Sequence, residues 1–141
     1  MRRMAWLLVL GLATVGLQAQ AGDVKVTYIG HDTVAKGGTL LSAKGVIVQV
    51  NTRKEAGISE YHDKENDTFY ILDGSATFVT GGEMVDSKVT EPGQRRGTTI
   101  KGGQTFHLTK GDVMVIPAGT PHWFKEVPTS VTYYVVKVVV P

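Results

Sequence analysis

The sequence contains no cysteine, so disulfide bonds and thiolate metal sites are excluded. Any metal bound by this chain must therefore be held by histidine, aspartate or glutamate side chains. Three further motifs are missing: a glycine-rich phosphate loop, a serine nucleophile elbow and the His-Glu-x-x-His zinc motif. The sequence consequently gives no indication of nucleotide binding, serine hydrolysis or zinc-protease chemistry.

The sequence also lacks an excess of positive charge outside its first 21 residues, which have a pattern of their own. Residues 1–21 begin with Arg2 and Arg3, continue with an apolar run from Ala5 to Leu17 and end in Ala19-Gln20-Ala21. This pattern predicts a signal peptide, because the run is shorter than the about 20 apolar residues that a membrane-spanning helix needs. We therefore expect an exported protein, periplasmic or secreted, that makes no membrane contact after cleavage.

Cleavage after residue 21 leaves 120 of the 141 residues, a suitable size for a single domain with its own core. The cleaved segment carries two of the 15 Lys and Arg residues, so the remaining 13 equal the 13 acidic residues. A nearly neutral chain without a basic stripe is not expected to bind nucleic acid.

Long amphipathic helices are absent from the sequence pattern of residues 22–141. Short β-branched and aromatic runs separated by glycines predict strands instead, for example at 24–29, 45–53 and 75–80, and indicate an all-β sandwich or barrel. Residues 82–103 are polar and predict an irregular loop excursion. Within it, Arg95 and Arg96 either belong to a solvated loop or close over an anionic group at the barrel mouth.

Residues 111–122, GDVMVIPAGTPH, combine a strand, a forced turn and a histidine. Pro117 ends the β-branched strand, while Gly119 and Pro121 shape the turn that precedes His122. The spacing Gly-x5-Pro-x-Gly-x2-His resembles the second motif of the cupin superfamily, in which Asn stands at the position of Glu126. Upstream, Glu60, His62, Asp67 and Gly74 have the spacing of the first cupin motif, His-x-His-x4-Glu-x6-Gly, with Glu60 and Asp67 replacing His and Glu.

The resemblance implies a double-stranded β-helix, or jelly-roll barrel, over residues 22–141. It also implies a metal site inside the barrel, formed by Glu60, His62, Asp67 and His122. Strand parity supports this arrangement, because residues 60 and 62 project to the same side of one strand. Two imidazoles with carboxylates suit Fe, Mn, Zn, Ni or Co, and the four side chains alone would carry a charge of −2 before a metal binds.

Three functions remain open from the sequence. The first is a barrel that binds a divalent metal and a small polar ligand, either a sugar or an organic acid. The second is a metal-free binding module without catalysis, and the third is a metal-dependent dioxygenase or isomerase. Catalytic residues are not indicated, although His107 would be an extra ligand or base if it faced inward, whereas turn chemistry accounts for His31.

The C-terminal run from Val131 to Val140 is apolar on both of its faces and is interrupted only by Lys137. Residues 131, 133, 135 and 137 share one face, and residues 132, 134, 136 and 138 share the other. Such a strand is either central in a sandwich or covered by a partner subunit. Together with the pairing common among cupins, this pattern predicts a homodimer.

Overall fold

The computed structural model describes residues 22–141, so the predicted signal peptide lies outside the described residues. This part of the chain contains one helical turn, α1 (His31–Val34), followed by β-strands from residue 38 onward. The strands are β1 (Gly38–Ala43), β2 (Val46–Arg53), β3 (Ser59–His62), β4 (Glu65–Thr80), β5 (Glu83–Met84), β6 (Lys88–Glu91), β7 (Gln94–Gly97), β8 (Ile100–Lys101), β9 (Gln104–Thr109), β10 (Val113–Ile116), β11 (His122–Glu126) and β12 (Val131–Val139). No helix between residues 22 and 141 has the length and apolar character needed to cross a membrane.

Strand β4 organises the sheet because its two halves pair with different neighbours. Strands follow the order β1-β2-β12-β4-β11-β3-β7-β6, and β9 and β10 also pair with β4. The first half of β4 lies between β12 and β10, and the second half lies between β11 and β9. Gly74 separates the halves with φ +78°, and a Cβ there would lie 2.0 Å from the Ser130 carbonyl oxygen. Only glycine fits this crossing, at which the antiparallel sheet curls on itself.

The core lies between the curled halves and is rich in aromatic rings. Phe69, Phe78, Phe124 and Tyr133 are buried, and the Phe78 and Phe124 rings meet edge to face with centroids 4.7 Å apart. Burying such a side chain contributes about 1.5–3 kcal/mol. At one end of this core the inward positions of β4 and β12 become polar, and the register places Asp67 directly opposite Lys137.

Strand β12 is central, with β2 on one side and β4 on the other. Val131, Tyr133 and Val135 face the core and are buried. The opposite face is less covered, because Val138 is 44% exposed and Tyr134 is half-buried. The two apolar faces of this strand therefore differ in burial within one copy of the chain.

Two local predictions are wrong. Residues 82–103 were expected to form an irregular loop, but they contain β5 to β8, with β7 paired to both β3 and β6 and β5 paired to β8. Strand β6 is exposed along its whole length, so the apolar alternation by which strands are recognised is weak there. Residues 24–29 were expected to form a strand, yet they form none and leave Val26 and Tyr28 exposed.

Candidate metal centre

Two buried histidines meet where β3 ends and β11 begins. His62 and His122 are each 3% exposed, and their ring centroids lie 5.1 Å apart. The Pro117 turn is fixed to the end of β3, because the Gly119 N–H donates to the His62 carbonyl oxygen at 2.7 Å. Backbone pairing of His122 with Glu60 then fixes the start of β11 against β3. Local turn chemistry and strand pairing thus position both imidazoles.

Each imidazole has its Nδ1 atom engaged away from the centre. His122 Nδ1 lies 3.0 Å from the Thr120 carbonyl oxygen, which can only accept, so this nitrogen carries the proton. The Nδ1 atom of His62 bonds in the same way to Oε1 of Gln94 in β7. Burial lowers the pKa of His122, so this ring is neutral at pH 7. Both Nε2 lone pairs are therefore directed toward the centre, as in histidines that bind metals.

Two carboxylates complete the group predicted from the sequence. Asp67 Oδ2 lies 3.5 Å from His62 Nε2 and 3.8 Å from His122 Nε2. Glu60 Oε2 lies 3.7 Å and 3.9 Å from the same two nitrogens. Two atoms in this group are buried without a hydrogen-bond partner, His122 Nε2 and Asp67 Oδ1. Two overlapping triads of donor atoms are each compact enough to hold a metal ion, Glu60 with His62 and His122, and His62 with Glu65 and Asp67.

A lysine that was not predicted lies within this group. Lys137 Nζ donates to Asp67 Oδ2 at 2.7 Å and lies 3.1 Å from His62 Nε2. Glu65 is a second addition, with Oε2 3.6 Å from Lys137 Nζ and 3.8 Å from His62 Nδ1. Strand parity carried the signal for both, because Glu65 shares a face with Asp67, and Lys137 shares a face with the core residues of β12.

The charge of −2 expected from the sequence counted only four side chains and left out other charged groups that lie beside them. Three carboxylates occupy the group, those of Glu60, Glu65 and Asp67. The Asp67 carboxylate is paired with Lys137, and Arg53 Nη2 and Arg96 Nη2 lie 3.6 Å and 4.0 Å from the Glu60 oxygens. The formal charges of these side chains balance, so the buried carboxylates do not by themselves require a metal. The donor set still fits one, since the buried Nε2 of His122 has no hydrogen-bond partner and lies 3.8 Å and 3.9 Å from carboxylate oxygens of Asp67 and Glu60.

A cavity of about 210 Å³ extends from the group toward solvent. Its polar lining includes Gln49, Asn51, Arg53 and Arg96, and Trp123 adds an aromatic wall. Of the two arginines considered from the sequence, Arg96 lines this cavity. Arg95 packs over the Tyr61 ring instead, with its guanidinium carbon 5.2 Å from the ring centroid.

Three other polar side chains lie apart from the centre. His107 is exposed on β9 and does not face inward, so it is not placed to be a metal ligand or a base in the barrel. The His31 side chain is 91% exposed in α1. Glu126, at the Asn position of the second motif, accepts a hydrogen bond from Thr77 at 2.9 Å and does not reach the histidines.

This geometry defines the class of protein, a small β-barrel with a histidine and carboxylate centre. The cupin family model, described as Cupin, matches residues 20–139, and the chain belongs to the cupin family. Among curated protein sequences, no significant match was found. The expected double-stranded β-helix is confirmed, since the chain's structural neighbours have this fold.

Three solved structures illustrate the likeness. A protein from Bacillus halodurans has a TM-score of 0.59 at 11% identity, covering 86% of this chain and 87% of that one. An RmlC-like cupin from Methanocaldococcus jannaschii has a TM-score of 0.53 at 14% identity, covering 82% and 91%. The Schizosaccharomyces pombe Cnp3 cupin domain has a TM-score of 0.53 at 14% identity and covers 73% of this chain, which spans 59% of that domain's length. At such identities the likeness concerns the fold alone.

Proposed function

We propose that this cupin binds one divalent metal ion through His62, His122, Asp67 and Glu60. The carrying observation is the His122 ring, whose Nε2 is buried without a partner while its Nδ1 is held by the Thr120 carbonyl oxygen. A buried imidazole oriented in this way is a ready metal ligand. Fe, Mn, Zn, Ni and Co all accept such nitrogen and oxygen donors.

We further propose that the cavity beside this centre takes a small polar ligand, a sugar or an organic acid. Amide groups of Gln49 and Asn51 can donate to hydroxyl or carboxylate oxygens, and Arg53 and Arg96 add positive charge. A metal with an open position supplies Lewis-acid chemistry at a carbonyl or a site for O2. A dioxygenase or isomerase activity would require such a position together with a base near the ligand.

The test of metal binding is a melting-temperature measurement on protein stripped with a chelator and then supplied with Mn(II), Fe(II), Ni(II) or Zn(II). A metal in hundredfold excess over its dissociation constant stabilises the folded state by about 2.7 kcal/mol. We expect this gain in the wild type and in His31→Ala, but not in His122→Ala. If no metal raises the melting temperature of the wild type, the proposal is wrong.

A metal-free binding module is the second candidate, and the balanced charge of the centre favours it. With Lys137 paired to Asp67, the barrel can remain folded without an added cation. Calorimetric titration of metal-free protein with citrate and with glucose distinguishes the candidates. Binding that is unchanged by metal would support the module, whereas binding only after metal addition would support the metal centre.

Export and self-association are also proposals. The pattern of residues 1–21 supports export to the periplasm or the medium. Self-association is supported by the outer face of β4 and β10, where Tyr70, Val113 and Val115 are 45%, 59% and 62% exposed. This apolar face is continuous with the outer face of β12, because Tyr70 pairs with both Val113 and Tyr134. We propose that a second copy of the chain covers it.

A further inference from the structure

Within residues 22–141, Lys137 is the one lysine whose ammonium lies among the side chains proposed to hold the metal. It comes from β12, opposite Asp67 in the backbone register, and its side chain is only 18% exposed. Position 137 is set by eight residue pairs between β12 and β2 and nine between β12 and β4, so the sheet itself directs the ammonium into the group.

The contact between Lys137 and His62 cannot coexist with a metal on the same imidazole. His62 Nδ1 is engaged with Gln94, which leaves a single lone pair on Nε2. The Lys137 ammonium lies 3.1 Å from that nitrogen and has no lone pair of its own, so it donates there. A metal would need the same lone pair at about 2.1 Å. Binding of the metal and binding of the ammonium to His62 are thus mutually exclusive.

The displaced ammonium has an acceptor nearby. Glu65 Oε2 already lies 3.6 Å from Lys137 Nζ, and its side chain is 21% exposed. A second cavity of about 250 Å³ adjoins Lys137 and is lined by Glu65 and Glu91 among other polar residues. A flexible lysine side chain can turn into this space while keeping a carboxylate partner. No hydrogen bond or ion pair joins Lys137 to His122, whose Nε2 has no partner, so this imidazole can receive an ion before Lys137 moves.

We propose that Lys137 is an internal competitor for the metal centre, which contacts Asp67 and His62 in the metal-free protein and must leave His62 when a metal binds there. This inference rests on the proposed metal function. The competition has two consequences. Lys137 stabilises the metal-free barrel, and it lowers the affinity for metal. Hydrogen bonds to charged groups contribute enough that removing the competitor raises affinity about 10- to 100-fold.

The experiment compares Lys137→Met and Lys137→Gln with the wild type by calorimetric titration of Ni(II) and Zn(II) into metal-free protein. Lys125→Met is the matched control, because Lys125 is an exposed strand lysine away from the centre. We expect a dissociation constant about 10- to 100-fold lower in both position-137 variants and an unchanged one in the control. Lys137→Arg keeps the charge and should bind metal no more tightly than the wild type. A variant that folds only with metal is measured by chelator competition from the loaded form.

The outcomes separate the two proposals. Tighter binding in Lys137→Met than in a wild type that also binds supports both. Binding in Lys137→Met alone supports the competition and contradicts metal binding by the natural protein. A wild type that binds as tightly as both variants overturns the competition and leaves the metal centre in place. If neither wild type nor variant binds Ni(II) or Zn(II), both proposals are overturned.

Discussion

Replacing Asp67 by Asn isolates the buried ion pair at the polar end of the barrel. The Asp67 side chain is 2% exposed and accepts from Lys137 at 2.7 Å. Removing one partner of a buried pair typically costs about 3–5 kcal/mol, because the other charge remains buried. Glu65 lies 3.6 Å from the ammonium and partly replaces the lost carboxylate, so we expect about 3 kcal/mol. In a domain of this size that lowers the melting temperature by about 10 °C.

Urea unfolding of metal-free protein measures this loss, and Asp73→Asn provides the control. Asp73 lies on the same strand but pairs with Lys110 at 4.0 Å with both side chains mostly exposed. Exposed pairs contribute at most about 1 kcal/mol, so the control should scarcely change. The double variant Asp67→Asn, Lys137→Met should recover stability relative to Asp67→Asn, because the unpaired ammonium is gone. Equal losses for the two Asp→Asn variants would refute the ion pair as a stabilising contact.

Two further predictions concern the fold and the assembly. Gly81→Ala should cost about 1 kcal/mol in urea unfolding, and Gly74→Ala should cost several times as much. Both glycines have positive φ, but of the two only Gly74 has a carbonyl oxygen where the added Cβ would lie. Equal losses would contradict this account of the sheet crossing. Val115→Glu should convert a dimer to a monomer in light scattering, whereas Val89→Glu, a similarly exposed valine on β6, should not. A wild type that is monomeric at high concentration would contradict the assembly proposal.

Local sequence chemistry was sufficient to predict the positions of the two histidines. Pro117 and Gly119 specify the corner before His122 whatever the rest of the chain does, since proline and glycine restrict or free the backbone at their own positions. Strand parity likewise placed Glu60 beside His62, because alternation is a property of one strand. The resemblance to the cupin motifs indicated the four side chains, and these two local rules explain why Glu60, His62 and His122 lie close together.

Contacts between distant strands were beyond those rules. Lys137 meets Asp67 only because β12 pairs with β4 in one particular register, and the two residues are 70 positions apart in the chain, so that register depends on the whole sheet. Parity alone did indicate that Lys137 shared a face with Val135, but not which carboxylate it would meet. The strands within 82–103 escaped recognition for another reason, since exposed edge strands carry little apolar alternation.

The most direct test of the metal centre is a crystal structure of the protein loaded with Zn(II), with anomalous scattering recorded at the zinc edge. The account predicts one strong peak about 2.1 Å from Nε2 of both His62 and His122, with the Lys137 ammonium withdrawn from His62. The absence of a peak between the two imidazoles, with Lys137 still donating to His62 and Asp67, would contradict it.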